Sequence, residues 1–192
     1  MEVYQSIMDL KRKIVRVYQH LFYTLEEQAR HAGVHLGKHN DIYSKFWSSE
    51  PYLITIGDYC CLTNGTKIFT HGGGTVARSK YPDFDCFGKV TIGNYVYNSL
   101  IMPGVSIGDN VLVAAGSIVT KSIPSNVVVA GNPAKIICTL EEYINKNLPY
   151  NLNSKKMSPD DKRKLLENLP DDKFIKKEFQ SLSNKVNTIL II

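Results

Sequence analysis

Between residues 33 and 138 the aliphatic positions repeat every six residues. Ile56, Leu62 and Ile68 form one run, Ile101, Ile107, Val113 and Val119 form another, and Leu36 and Ile42 make a shorter pair. A helix would repeat at 3.6 and a half-buried strand at 2, and neither sustains a period of six. The residue after the aliphatic is often Gly or small, as at Gly37, Gly57, Thr63, Gly93, Gly108 and Ala114. The fourth residue after it is again small or β-branched, as at Cys60, Thr66, Val96, Val105, Val111 and Ser117. Hexapeptide periodicity predicts a parallel β-helix. Each short strand turns one aliphatic inward, a tight corner follows, and three faces close a triangular coil. Coils then stack about 4.8 Å apart with parallel pairing. A single coil cannot bury its aliphatics, whereas a stack can.

Two stretches break the period. Residues 71–89 carry no hexads and are expected to leave the stack as an excursion loop. Ile92 and Ile101 stand nine apart, half a hexad away from a multiple of six. The flanks have a different texture. Residues 1–30 space Tyr4, Ile7, Met8, Ile14, Val15, Tyr18, Leu21, Phe22 and Leu25 as one amphipathic helix. Lys11, Arg12, Lys13 and Arg16 lie on its other faces and read as a solvated surface. From Thr139 onward the signals are helical. Thr139 and Glu142 have capping-box spacing, and Ser158 precedes Pro159, Asp160 and Asp161 in the order of a helix start. The expected organisation is therefore an N-terminal helix (1–32), an all-β core (33–138) and a helical extension (139–192). The closing "TILII" reads as a strand or tail packing on a neighbour.

Composition narrows the function classes. A chain of 192 residues with 43% hydrophobic and 21% charged residues suits one globular domain with additions. No run approaches the roughly 18 apolar residues of a membrane span, and the first residues lack a signal-peptide pattern. Cys60, Cys61, Cys86 and Cys138 form no CxxC spacing. Together these predict reduced thiols in a cytoplasmic chain. The net charge of +5 suits an anionic small ligand or a polyanionic acceptor. No dense Lys/Arg stripe with interleaved aromatics is present, which argues against nucleic acid.

The segments "ITIGDYCCLTNGTKIFTH", "VTIGNYVYNSLIMPGVSIGDNVLVAAGSIVTKSIP" and "VVVAGNPAKII" resemble the hexapeptide-repeat acyltransferases. The likeness covers about residues 33–140. It is nearest to the O-acetyltransferases of bacterial surface-polysaccharide synthesis, relatives of the maltose, galactoside and serine acetyltransferases. It implies a left-handed β-helix, a homotrimer with active sites between protomers, acetyl-CoA as donor and a saccharide acceptor, with no metal. By this resemblance His71 takes the place of the general base. Ala115, Gly116 and Ser117 match the small-residue corner beside the pantetheine arm. Thr120 and Lys121 match the pair beside the adenine nucleotide, and Pro133 and Lys135 the loop at the adenine and its 3′-phosphate. Asn98, Arg78, Tyr81, Asp83 and Asp85 are candidate acceptor contacts. The chemistry agrees with the residue type. Moving an acyl group from a thioester to a hydroxyl needs a base for the hydroxyl proton, and histidine serves near neutral pH.

Three departures separate this chain from that pattern. Relatives often carry an acid after the histidine, where Gly72 stands here, so a backbone carbonyl, Asp83 or Asp85 is expected to orient the imidazole. The loop around "GGTVAR" is about one residue shorter. A triplet is missing between Tyr97 and Asn98, which either cuts a coil corner short or is compensated by the excursion. Other constellations carry less. His31, His35 and His39 recur at metal-ligand spacing on a helix, but Gly33 and Gly37 weaken a helix there. "THGGGT" lacks the Lys-Ser/Thr pair of a phosphate loop. Two further functions stay open at this point: an N-acetyltransferase on a nucleotide-linked amino sugar, and a non-catalytic trimeric scaffold.

Overall fold

The structure is a computed structural model that describes residues 2–177 and 179. The chain divides into two compact units, Met1–Tyr143 and Ile144–Ile192. The expected single N-terminal helix is two helices, α1 (Glu2–Phe22) and α2 (Leu25–Ala32). The break is local chemistry. Thr24 Oγ1 accepts the Glu27 N–H at 3.2 Å, and the Glu27 carboxylate accepts the Thr24 N–H at 2.7 Å. That capping box starts a new helix and ends the old one.

The strands that follow are short. They are β1 (His35–Leu36), β2 (Asp41–Ile42), β3 (Ile54–Ile56), β4 (Cys61–Leu62) and β5 (Lys67–Ile68). An excursion containing the short helix α3 (Gly74–Ala77) comes next. The stack resumes with β6 (Val90–Ile92), β7 (Leu100–Ile101), β8 (Ser106–Ile107), β9 (Leu112–Val113) and β10 (Ile118–Val119), then β11 (Val127–Ala130) and β12 (Lys135–Thr139).

Parallel pairing sorts these strands onto three faces. The first face joins β1, β3, β6 and β8 in that order, so Leu36, Ile56, Ile92 and Ile107 stand in one column, which a bridge extends to Ile123. The second pairs β2 with β4 and β9 with β11, linked through single bridges at Tyr97. The third joins β5, β7 and β10, with Trp47 bridged to Ile68. The hexad aliphatics are the core: Ile56, Leu62, Ile68, Ile92, Ile101, Val113 and Val119 are all buried. So are the fourth-position residues Cys60, Thr66, Val96, Val105, Val111 and Ser117. The Cys60 thiol donates to the Gly93 carbonyl at 3.1 Å, and burial pushes its pKa up. None of the four cysteines is in a disulfide among the described residues.

The glycine after each first-face aliphatic, at Gly37, Gly57, Gly93 and Gly108, is explained by the corner between the first and second faces. A Cβ at Gly93 would sit 2.8 Å from the Gly108 carbonyl carbon of the next coil. Two residues after these glycines the backbone is left-handed, at His39, Tyr59, Tyr95 and Asn110, and it is left-handed again at Asn126 on the last such corner. The Tyr59 and Tyr95 rings stack there at 4.8 Å.

The missing triplet is a shortened corner, and the excursion does not compensate for it. Tyr97 keeps register with Cys61 and Leu112, and Ile101 with Ile68 and Val119. Only Asn98, Ser99 and Leu100 span the corner. Asn98 therefore falls at the inward position that Leu62 fills one coil below and Val113 one coil above. Its carbonyl is served by the Thr63 and Thr66 hydroxyls at 3.3 and 3.2 Å. Its side-chain amide is buried, with no hydrogen-bond partner on either polar atom among the described residues.

The stack ends differently from expectation. β12 turns back antiparallel on β11, a hairpin the hexad pattern does not announce. Thr139 then caps α4 (Leu140–Asn147) through the expected Glu142 contact. In the second unit Ser158 caps α5 (Pro159–Glu167), with Pro159 in its first turn. "TILII" lies outside the described residues. Among the described residues no helix is long and apolar enough to cross a membrane.

Candidate active site

The bridge between Trp47 and Ile68 sets the geometry of the site. Three residues further along each strand stand Glu50 and His71, one coil above the other at the corner where the excursion leaves. Glu50 is held by a turn, because the Leu53 N–H donates to its carbonyl at 3.1 Å and buried Pro51 begins a 3-10 helix. His71 is held from the other side by a bridge to Phe87, where the excursion returns. Gly88 N–H then donates to the Thr70 carbonyl at 2.7 Å.

The imidazole is oriented by Glu50, a residue the sequence reading did not single out. His71 Nδ1 lies 2.6 Å from Glu50 Oε2. A carboxylate only accepts, so Nδ1 is the donor, and in the neutral ring this tautomer leaves the lone pair on Nε2. Thr70 Oγ1 donates to the same carboxylate oxygen at 2.9 Å, and Ser48 Oγ lies 2.8 Å from Thr70 Oγ1. Burial pushes the Glu50 carboxyl up, but hydrogen bonds from Thr70, His71 and Ser49 outweigh it and hold the group below its ordinary value. The Glu50 side chain is 16% exposed and the His71 side chain 38%. The imidazole is reachable and its partner is mostly covered.

Neither Asp83 nor Asp85 takes the orienting role. Asp85 Oδ2 instead lies 3.8 Å from Arg78 Nη2, and Arg78 Nε donates to the Phe84 carbonyl at 3.1 Å. Arg78, Tyr81, Asp83 and Asp85 are exposed on the excursion. Of the three glycines after His71, only Gly73 is left-handed, at φ 73°, where it opens α3. Cβ atoms at Gly72 and Gly73 would meet nothing within 4 Å, so the space beside the imidazole is open. Asn98 does not belong to this surface. It is buried at 1% exposure, because the shortened corner draws it into the core.

The positions matched to the donor lie elsewhere on the stack. Ala115 and Gly116 form an exposed turn closed by the Ser117 N–H on the Ala114 carbonyl at 3.1 Å, with Gly116 at φ 75°. A Cβ at Gly116 would meet nothing within 4 Å. Ser117 itself is buried, and its hydroxyl accepts the Gly131 N–H at 3.1 Å. It holds the Gly131–Ala134 loop against the turn rather than facing solvent. Pro133 and Lys135 are exposed on that loop and just beyond it. Thr120 and Lys121 are exposed at the next corner, the same edge as His71. The open turn and the two exposed lysines fit a thioester donor with a flexible arm and phosphates. Among the described residues no group of three His, Cys, Asp or Glu side chains could hold a metal ion.

Comparison with known proteins adds an independent line. No family model matches the chain. Over 145 residues it is 44% identical to Protein CapG of Staphylococcus aureus, spanning 72% of this chain and 84% of that protein. It is 30% identical over 125 residues to the putative colanic acid biosynthesis acetyltransferase WcaF of Escherichia coli (strain K12), spanning 55% of this chain and 69% of that one. A solved galactoside acetyltransferase in complex with coenzyme A matches with a TM-score of 0.53 at 26% identity, over 62% of this chain and 72% of that one.

Proposed function

The chain belongs to the hexapeptide-repeat acetyltransferases, and we propose that it moves an acetyl group from acetyl-CoA to a sugar hydroxyl in the assembly of a capsule or lipopolysaccharide. The observation that carries this reading is the Glu50–His71 pair at an open corner of the stack. Glu50 fixes the imidazole with Nε2 free. Nε2 takes the acceptor hydroxyl proton as the oxygen attacks the thioester carbonyl; the new C–O bond forms, the C–S bond breaks, and the proton passes on to the departing thiolate. Glu50 stabilises the imidazolium in between. No covalent enzyme intermediate is needed. An intact dyad also speaks against a degenerate scaffold.

The donor would lie along the Ala115–Gly116 turn, with Lys121, Lys135 and Thr120 toward its phosphates and Pro133 against the adenine. On one chain that turn and His71 occupy different edges, on either side of the third face. Roughly five residues of strand separate the two edges, about 17 Å at 3.3 Å per residue. A site using both edges is built from two copies, which supports a homotrimer with sites between protomers. The colanic acid relative supports a polysaccharide role, and the coenzyme A complex supports the donor.

The test is His71→Ala. Thiol release from acetyl-CoA with a panel of saccharide acceptors should fall by about 10²–10⁴-fold, while calorimetric binding of acetyl-CoA is retained. Near-full activity in the variant would sink the base assignment.

A further inference from the structure

Among the described residues, one side of α1 is left uncovered. Leu10, Ile14, Val17 and Leu21 are 60%, 60%, 59% and 67% exposed. Their spacing is four, three, four, and in the sequence the same alternation continues back to Ile7 and Val3. This is a heptad with Ile14 and Leu21 at a, Leu10 and Val17 at d, and no polar residue at any a or d position. A general amphipathic helix needs only a broad stripe at 3.6 spacing. An unbroken 3.5 alternation over three heptads is instead the pattern of a seam between helices. At 21 residues and 1.5 Å per residue, α1 is about 31 Å long.

We propose that α1 is one strand of a parallel coiled coil formed with the α1 helices of two other copies of this chain. The number three rests on the homotrimer reading above; the seam rests on the heptads. β-branched residues occur at both a and d, a choice that shifts preference from two strands toward three. The charges agree with parallel register. Lys13 at g would face Tyr18 at e of the neighbouring helix, so these flanking positions oppose no like charges. α1 leads through α2 into the first coil, so a threefold axis along the stacks brings three copies of α1 to the same end. A membrane surface is the other occupant of an amphipathic basic helix. It fits less well, because Lys11 lies at e, between the seam and the apolar b position of Val15, where an in-plane helix would have to bury it.

Cysteine cross-linking of the full chain tests the seam. A disulfide requires Cα atoms within about 7 Å. In a Cys86→Ser background, Ile14→Cys at a should give a band of twice the chain mass under mild oxidation. Val15→Cys at the neighbouring outward position should give none. Equal cross-linking of both, or of neither, overturns the coiled coil. So does flotation of the full chain with phosphatidylglycerol vesicles accompanied by loss of the Ile14→Cys product. Sedimentation of the unmodified chain separates the two readings: a trimer without the Ile14→Cys product removes only the seam, whereas a monomer removes the homotrimer itself.

Discussion

Glu50→Gln isolates the electrostatic half of the dyad. Glutamine keeps the shape and can still accept from Thr70, but it removes the charge beside the imidazole. For unit charges at the 2.6 Å Nδ1–Oε2 separation, Coulomb's law gives about 1.6 kcal/mol in water and about 6 kcal/mol at an effective constant of 20. His71 is 38% exposed, which places the real value toward the lower end. Losing about 2–3 kcal/mol of imidazolium stabilisation in the transition state predicts a fall in kcat of about 30- to 150-fold. The assay is steady-state thiol release at saturating acetyl-CoA, with the donor KM followed in parallel. An unchanged kcat, or a loss confined to the donor KM, would refute the dyad. Stability supplies a second readout. The Glu50 carboxyl is held below its ordinary value: burial opposes this, and the bonds from Thr70, His71 and Ser49 prevail. A depressed carboxyl contributes stability above its unfolded value and loses it as pH falls through the folded one. The difference in Tm between wild type and Glu50→Gln should therefore be full at neutral pH and close on acidification below the ordinary carboxylate range.

Three further outcomes follow from the stack. Asn98→Leu replaces a buried amide without partners by an aliphatic between Leu62 and Val113. It should stabilise the fold by about 1–3 kcal/mol in urea unfolding; a lowered midpoint would mean that the amide is satisfied. Gly93→Ala places a Cβ against Asp109 Oδ1 and the Gly108 backbone of the next coil, so it should destabilise by about 1–3 kcal/mol or more, seen as a lower thermal midpoint, whereas Gly72→Ala in open space should not. Lys121→Ala should raise the KM for acetyl-CoA about tenfold, a loss of about 1.4 kcal/mol, at unchanged kcat. The same variant tested with a donor lacking the 3′-phosphate distinguishes which phosphate the lysine serves.

The stacked core was legible because its cause is repetitive. One aliphatic per face with a small residue after it is a constraint each coil imposes again, so the sequence repeats it from Leu36 to Val119. The capping signals at Thr139 and Ser158 were legible for a similar reason, since a cap is satisfied within three residues. The break at Thr24 had the same local signature, but it was masked by apolar spacing that continues across it from Phe22 to Leu25. What lay beyond the sequence were contacts between coils. The partner of His71 was sought within the loop that follows it, yet Glu50 stands 21 positions earlier. The one available signal was the rise of 20 to 21 residues per coil between Leu36 and Ile56, Ile42 and Leu62, and Trp47 and Ile68. Counting that rise back from His71 ends at Glu50. Asn98 is the converse case. Its type suggested an acceptor contact, and only the register of Tyr97 and Ile101 with their neighbours shows that a corner short by three residues turns it inward. The sequence by itself determined the repeating coil and the caps at Thr139 and Ser158, because each is written in residues near one another. The tertiary structure decided what stacks on what, because parallel pairing joins residues a full coil apart, and that pairing supplied the carboxylate of the dyad.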